Sequence, residues 1–298
     1  TSHIHDSFVP AAEPPKVPEN QDDWARLRDS WMNALKEKCF AGWPQEPGPL
    51  NLKKVHSAER DGVVREHYEF DSQPGVRLQL FVTRDARAPK VETLSLRLQM
   101  PSAGSHPSDD VAAAEDVNPA VNRQGDETTA ASASFFPRGI GPTAWSGSEK
   151  KQVQIRRRFM LLGQTVASMQ VWDVRRALQA LRSIDAYRQS RIELEADRDL
   201  AALALYASLF EPQPIRLSLA DLPKTHQAGP DFLNVMRYLD IPQAVAMAVE
   251  RGDVLLTKSN ADGWEFPAAA AQQLKWSTGL TFRQRTSDQP QTERGGDK

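Results

Sequence analysis

Two aspartates flank an arginine in Asp197-Arg198-Asp199, and His226 and Asp262 follow at intervals that each contain one strand-like run. If each run is a strand, all four groups project from the carboxyl edge of a sheet, where open α/β sheets bind ligands. Two carboxylates and an imidazole on neighbouring strand ends can activate water as a general base or hold a divalent cation. A nucleophilic Asp199 is chemically allowed but needs a base and a dry pocket. The same residues also have plainer uses. Asp197 and Asp199 can pair with arginine or cap a helix, His226 can hydrogen-bond a backbone carbonyl, and Asp262 can serve as a turn residue.

The elements that must position these groups follow from apolar periodicity. Val63–Phe70 and Val76–Val82 alternate around the turn Asp71–Gly75, and Glu92–Gln99 makes a third strand, so the start is antiparallel. Beyond it strands and helices alternate, which calls for a parallel sheet covered on both faces. Strands are expected at Ala133–Phe136, Ile192–Ala196, Ile215–Leu219, Asp253–Thr257 and Leu280–Arg285. Helices are expected at Glu149–Leu162, Val166–Leu181, Asp199–Leu209, Pro242–Val249 and Pro267–Trp276. Residues 1–45 form a proline-rich arm, Pro10–Pro18, and a helix capped by Asn20 and stopped by Gly42 and Pro44. Trp24, Leu27, Trp31 and Leu35 recur at helical spacing and present a docking face. Residues 46–298 form the main domain, with a polar, low-complexity insert at 103–134 that has no periodic apolar positions.

The run Pro230-Asp231-Phe232 through Arg237-Tyr238-Leu239-Asp240-Ile241-Pro242, then Val254-Leu255-Leu256 and Ala261-Asp262-Gly263-Trp264, resembles the acetyl xylan esterase branch of the α/β-hydrolase superfamily. Phe159–Gly163 and Val171-Trp172-Asp173 resemble the helix pair that precedes the nucleophile strand of that branch. The likeness spans about residues 50 to 285. It implies an α/β-hydrolase-like three-layer sandwich, a mostly parallel sheet with antiparallel N-terminal strands. It also implies a triad acid at Asp262, a loop-bracing role for Asp173 and a nucleophile elbow at Ala196–Leu200.

Arg198 occupies the nucleophile slot, and no G-x-S-x-G occurs in the chain. A guanidinium stays protonated and has no lone pair with which to attack an ester. The elbow glycines of the family are replaced by Ala196 and Leu200, which implies a relaxed turn. The family's histidine belongs after the last strand, yet His226 is the last histidine, and the oxyanion segment Met100–His106 is not His-Gly-Gly-like.

Composition excludes several classes. The 298 residues carry 37 Lys+Arg against 39 Asp+Glu, a formal net charge of -2, so no overall field draws the chain to nucleic acid or to an anionic membrane. The single cysteine, Cys39, cannot form an internal disulfide or a thiolate metal cluster. There is no apolar run of about 18 residues to span a bilayer. The start at Thr1 lacks a signal-peptide pattern and reads as a processed or excised end. Gly139-Ile140-Gly141-Pro142 superficially matches a dinucleotide fingerprint, but Pro142 breaks the strand-turn-helix context and an ordinary turn is expected. Lys150, Lys151, Arg156–Arg158, Arg175 and Arg176 form a basic cluster, read as a solvated helix face against the option of meeting phosphates or an acidic polysaccharide. His3 and His5 sit near a frayed terminus and are not assigned to a metal.

The expectation is a hydrolase-lineage domain that has lost acyl transfer and acts as a binding or partner module. It needs no cofactor and no metal, and its partner is another hydrolase domain or an acylated carbohydrate. The alternative is an active carboxylic-ester hydrolase using Asp199, His226 and Asp262. The resemblance alone suggests a secreted or periplasmic location.

Overall fold

The computed structural model describes residues 12–88, 90–101, 130–145 and 148–284. His3, His5, most of the oxyanion segment, residues 103–129 of the expected insert and the tail Thr286–Lys298 lie outside the described residues. Nine strands form one sheet in the order β1-β2-β3-β5-β4-β6-β7-β8-β9. The antiparallel start is β1 (Lys53–Arg60), β2 (Val63–Gln73) and β3 (Val76–Asp85), and β3 also runs antiparallel to β5 (Ala130–Phe135). From β5 onward β4 (Thr93–Leu98), β6 (Arg191–Asp197), β7 (Arg216–Ala220), β8 (Val254–Thr257) and β9 (Leu280–Arg283) are all parallel. The sheet is therefore mostly parallel with antiparallel N-terminal strands, as expected.

Helices follow the periodicity closely. They are α1 (Gln21–Ala34), α2 (Glu149–Leu161), α3 (Val166–Ser183), α4 (Asp199–Leu209), α5 (Ile241–Arg251) and α6 (Glu265–Leu274). Asn20 caps α1 by accepting from the Asp23 amide at 2.9 Å, and α1 continues as a π-helical turn over Leu35–Cys39. The register puts Leu94, Leu96, Ile192, Leu194, Leu217, Leu219, Val254 and Leu256 on one face, all buried. Against that face α3, α4, α5 and α6 stack in sequence, and α4 is apolar nearly all round, as a helix enclosed on every side must be.

The opposite face of β4, β6 and β7 carries Thr93, Ser95, Arg97, Glu193, Glu195, Arg216 and Ser218. These residues are half-buried or exposed rather than apolar. They satisfy one another across the strands: Ser95 Oγ donates to Glu195 Oε1 at 2.6 Å, and Arg97 reaches Glu195 Oε2 through Nη2 at 2.5 Å. A third layer would pack here, and the described helices leave this face polar. A parallel sheet ordinarily buries both faces in apolar side chains, so this alternation is unusual for its class.

Two local expectations need correction. Residues 130–134, read as the end of the insert, are the central strand β5. Their Ala and Ser composition resembled low complexity, but Ala131 and Ala133 are buried between β3 and β4, where small side chains suffice. The Trp24/Trp31 face docks onto this same chain. Trp24 is fully buried, with ring centroids 5.0 Å from Trp276 and 6.0 Å from Trp31, and Trp31 lies 6.1 Å from Phe266. The sequence reading also has no counterpart for β1, every residue of which is exposed.

Candidate functional site

The corner between β6 and α4 sits where the resemblance puts a nucleophile elbow. Its apex is Arg198, with φ 53° and ψ −126°. That is a region few side chains tolerate, costing about 1–3 kcal/mol. The turn is therefore strained rather than relaxed, which corrects the expectation drawn from its missing glycines. The surroundings fix it. The Arg198 amide donates to Ala220 O at 2.9 Å, tying the apex to β7, while Leu200 and Ala201 just beyond are buried in the core. The Arg198 side chain points outward and is 67% exposed.

Two of the three acids around this corner are engaged with cations. Asp197 receives Lys258 Nζ at 3.1 Å, and Arg198 Nε lies 3.9 Å from its other oxygen. Asp262 falls after β8, where the resemblance puts the triad acid, and pairs with Lys224 Nζ at 2.9 Å while remaining largely exposed. Asp199 opens the first turn of α4, where a carboxylate complements the helix dipole.

His226 is held elsewhere. It is buried, with Nδ1 3.0 Å from Pro230 O and Nε2 2.8 Å from Tyr206 Oη. A carbonyl oxygen only accepts, so Nδ1 carries the proton and Nε2 accepts from the tyrosine hydroxyl. Burial lowers the His226 pKa below its ordinary value and pushes that of Tyr206 up. The His226 amide donates to Asp240 Oδ1 at 2.7 Å, which also receives the Ile241 amide at 2.8 Å. Asp240 and Gln243 close a capping box on α5, so the Asp-Ile-Pro of the quoted run is a helix start. His226 and Asp262 thus have other partners, Asp199 makes no side-chain hydrogen bond or ion pair with a described residue, and none joins the three.

Beside the elbow is a cleft of about 260 Å³ whose wall includes Met100, Gln170, Asp199, Leu203, Pro230 and Asp231. Its far wall is pinned from behind: His226 holds Pro230 O, and Thr165 Oγ1 donates to Asp231 O at 2.6 Å. A second brace is fully buried. Asp173 accepts from Arg138 Nε at 2.8 Å, Arg138 Nη2 at 2.6 Å, the Arg138 amide at 2.9 Å and Ser72 Oγ at 2.5 Å. This fixes the Arg138–Thr143 loop, in which Gly141 has φ 54° and a Cβ would meet the Phe136 ring at 2.5 Å. The glycines serve a tight turn there, and no cofactor-binding helix starts from it.

Sequence reasoning passed over Tyr206, Asp240, Thr165, Lys224 and Lys258. A lone aromatic in the apolar run Leu200–Leu209 and the Asp-x-x-Gln spacing at 240–243 were the available signals. Among the described residues, no group of three or more His, Cys, Asp or Glu is arranged to hold a metal, and no helix is long and apolar enough to cross a membrane.

No protein-family model and no curated protein matches the sequence. Solved structures do. A Bacteroides fragilis protein assigned as an acetyl xylan esterase superposes with a TM-score of 0.69 at 13% identity, over 95% of this chain and 80% of its own. A glucuronoyl esterase from Solibacter usitatus gives 0.63 at 13% identity, over 94% of both chains. An acetyl xylan esterase from Paenibacillus sp. R4 gives 0.52 at 14% identity, over 96% of this chain and 93% of its own. With a mostly parallel nine-stranded sheet and an antiparallel N-terminal start, the chain has the α/β-hydrolase fold, the fold of these acetyl xylan and glucuronoyl esterases.

Proposed function

We propose that this chain is a non-acylating binding module on an esterase frame, taking an acylated carbohydrate in the cleft beside the elbow. One observation carries this: the strained apex of the β6–α4 corner is Arg198, which offers neither hydroxyl nor thiol. The rest is consistent. His226, the histidine nearest this region in sequence, has both ring nitrogens occupied, so the alternative of an Asp199/His226/Asp262 hydrolase finds no free base. The cleft wall is pinned, as suits a preformed site.

The test pairs chemistry with binding. Purified chain is expected to turn over p-nitrophenyl acetate at background rate and to gain no mass from a fluorophosphonate. It is expected to bind acetylated xylo-oligosaccharides by calorimetry, with binding lost in Leu203→Trp, which fills the cleft. A covalent acyl adduct removes the non-acylating half of the proposal, and binding unchanged in Leu203→Trp removes the ligand site.

A partner role alongside another hydrolase domain draws support from a different feature, the polar face of β4, β6 and β7 that the described helices leave open. Parallel sheets seldom leave such a face to water. Light scattering of an Arg97→Glu/Arg216→Glu variant with such a domain tests it. Association unchanged by that reversal of charge would rule this face out.

A further inference from the structure

Helix α2 is unlike the others in having no buried residue. It reads Glu149-Lys150-Lys151-Gln152-Val153-Gln154-Ile155-Arg156-Arg157-Arg158-Phe159-Met160-Leu161, five cations against one carboxylate. All five cations are exposed, and none forms an ion pair with another described residue. Arg175 and Arg176, grouped with them in the sequence, are different. Arg175 pairs with Glu211, and Arg176 donates to Gly48 O and Asp71 O. Within this group, only the cations on α2 have side chains without an ion pair or hydrogen bond to a described residue.

The same helix ends in uncovered apolar surface. Leu161 is 85% exposed, Leu162 71% and Met160 46%, and Met100 after β4 is 49% exposed. Among the described residues, these are four of the six large apolar side chains that stand out into solvent. Val153, Ile155 and Phe159 are half-buried toward the body, Phe159 against Trp145 with centroids 5.9 Å apart. Residues three and four apart share a helix face, so Arg157, Arg158 and Leu161 lie together on the outward side. Exposed cations directly behind an exposed apolar tip match the layers of an anionic lipid surface, headgroup charge above and acyl chain below. A polyanionic sugar would engage the cations but has no use for Leu161 and Leu162.

We infer that α2 is a docking surface for an anionic bilayer, with Arg157, Arg158 and the N-terminal lysines on the headgroups and Met160, Leu161 and Leu162 in the acyl boundary. Net charge is no obstacle, because the attraction decays within a Debye length and depends on the local patch. Arg156 and Met160 also line the cleft, so its mouth would open at the lipid surface. This stands independently of whether the cleft binds a carbohydrate.

The test is cosedimentation of the full chain with vesicles of phosphatidylcholine alone and of phosphatidylcholine with phosphatidylserine. Binding is expected only to the second and is expected to weaken with added salt. Arg157→Glu/Arg158→Glu and, separately, Leu161→Ser/Leu162→Ser should each weaken it by about tenfold or more. Because these side chains are exposed, both variants should melt with the wild type. Cys39 is buried, so a polarity-sensitive dye on Leu161→Cys reports one position, and its emission should shift to the blue on the anionic vesicles. No binding by the wild type overturns the proposal, as does binding that survives both double variants. Loss in the arginine variant with full retention in the leucine variant also overturns it, and assigns the patch to a polyanion in solution.

Discussion

Tyr206 Oη and His226 Nε2 lie 2.8 Å apart in a buried aromatic nest, with the Phe232 ring 5.0 Å from the tyrosine and 5.1 Å from the imidazole. The imidazole is neutral and serves as a strut between α4 and the cleft wall at Pro230. Removing it in His226→Leu strands the tyrosine hydroxyl and a carbonyl, and should cost about 2–4 kcal/mol in urea unfolding. Ester turnover should be no lower than in the wild type.

The same strut sets a pH dependence. Burial lowers the folded pKa of His226, so the unfolded chain takes up a proton at higher pH than the native one. Its contribution to stability is complete above the ordinary value of 6.5 and declines as pH falls below it toward the folded pKa. Denaturation midpoints followed downward through that range should fall for the wild type and fall less for His226→Leu. Equal slopes would mean that the ring titrates normally.

At the elbow, Arg198→Gly should raise stability by about 1 kcal/mol, since glycine adopts the positive φ without a Cβ clash. Arg198→Ser places a hydroxyl at the apex while His226 stays engaged with Tyr206 and Pro230, and should leave p-nitrophenyl acetate hydrolysis at background. Turnover in Arg198→Ser beyond the spontaneous rate would mean that a general base is present after all.

Asp173 and Arg138 form a buried ion pair whose members depend on each other. Asp173→Ala leaves a guanidinium uncompensated in the interior and should cost about 3–5 kcal/mol. Arg138→Met with Asp173→Leu should cost less than the sum of the two single changes, as a double-mutant cycle by urea unfolding will read out.

Trp24 tests how α1 is used. As a core residue packed on Trp276, its loss in Trp24→Ala should lower stability by about 3–5 kcal/mol. A surface residue kept for an external partner would lose well under 1 kcal/mol.

The helices and parallel strands were legible because their apolar periods are clean: α4 was placed to the residue, and Asn20 marked the start of α1. Strand β1 was not, because an edge strand with every side chain in solvent has no alternation to read. Strand β5 was half legible: its end is the strand expected at Ala133–Phe136, while its start was hidden by Ala and Ser content, which looks the same in a tight central strand as in a solvated linker. At the site, the sequence carried Arg198 at a strand-to-helix corner and Asp262 in the loop after a strand. The strain at Arg198 and the engagement of His226 were not legible, since one arises from the Ala220 contact and the other from Tyr206 and Pro230, each distant in the chain. The charge of α2 was visible, but its freedom from partners was not.

The corner at Arg198 keeps its contorted shape without the side chain that shape is usually credited with serving. Joining a buried strand to a buried helix within a couple of residues is enough to demand it. Backbone shape alone is thus a poor witness to the chemistry of its apex, and a search that keyed on this bend would return corners tipped with arginine as readily as corners tipped with serine.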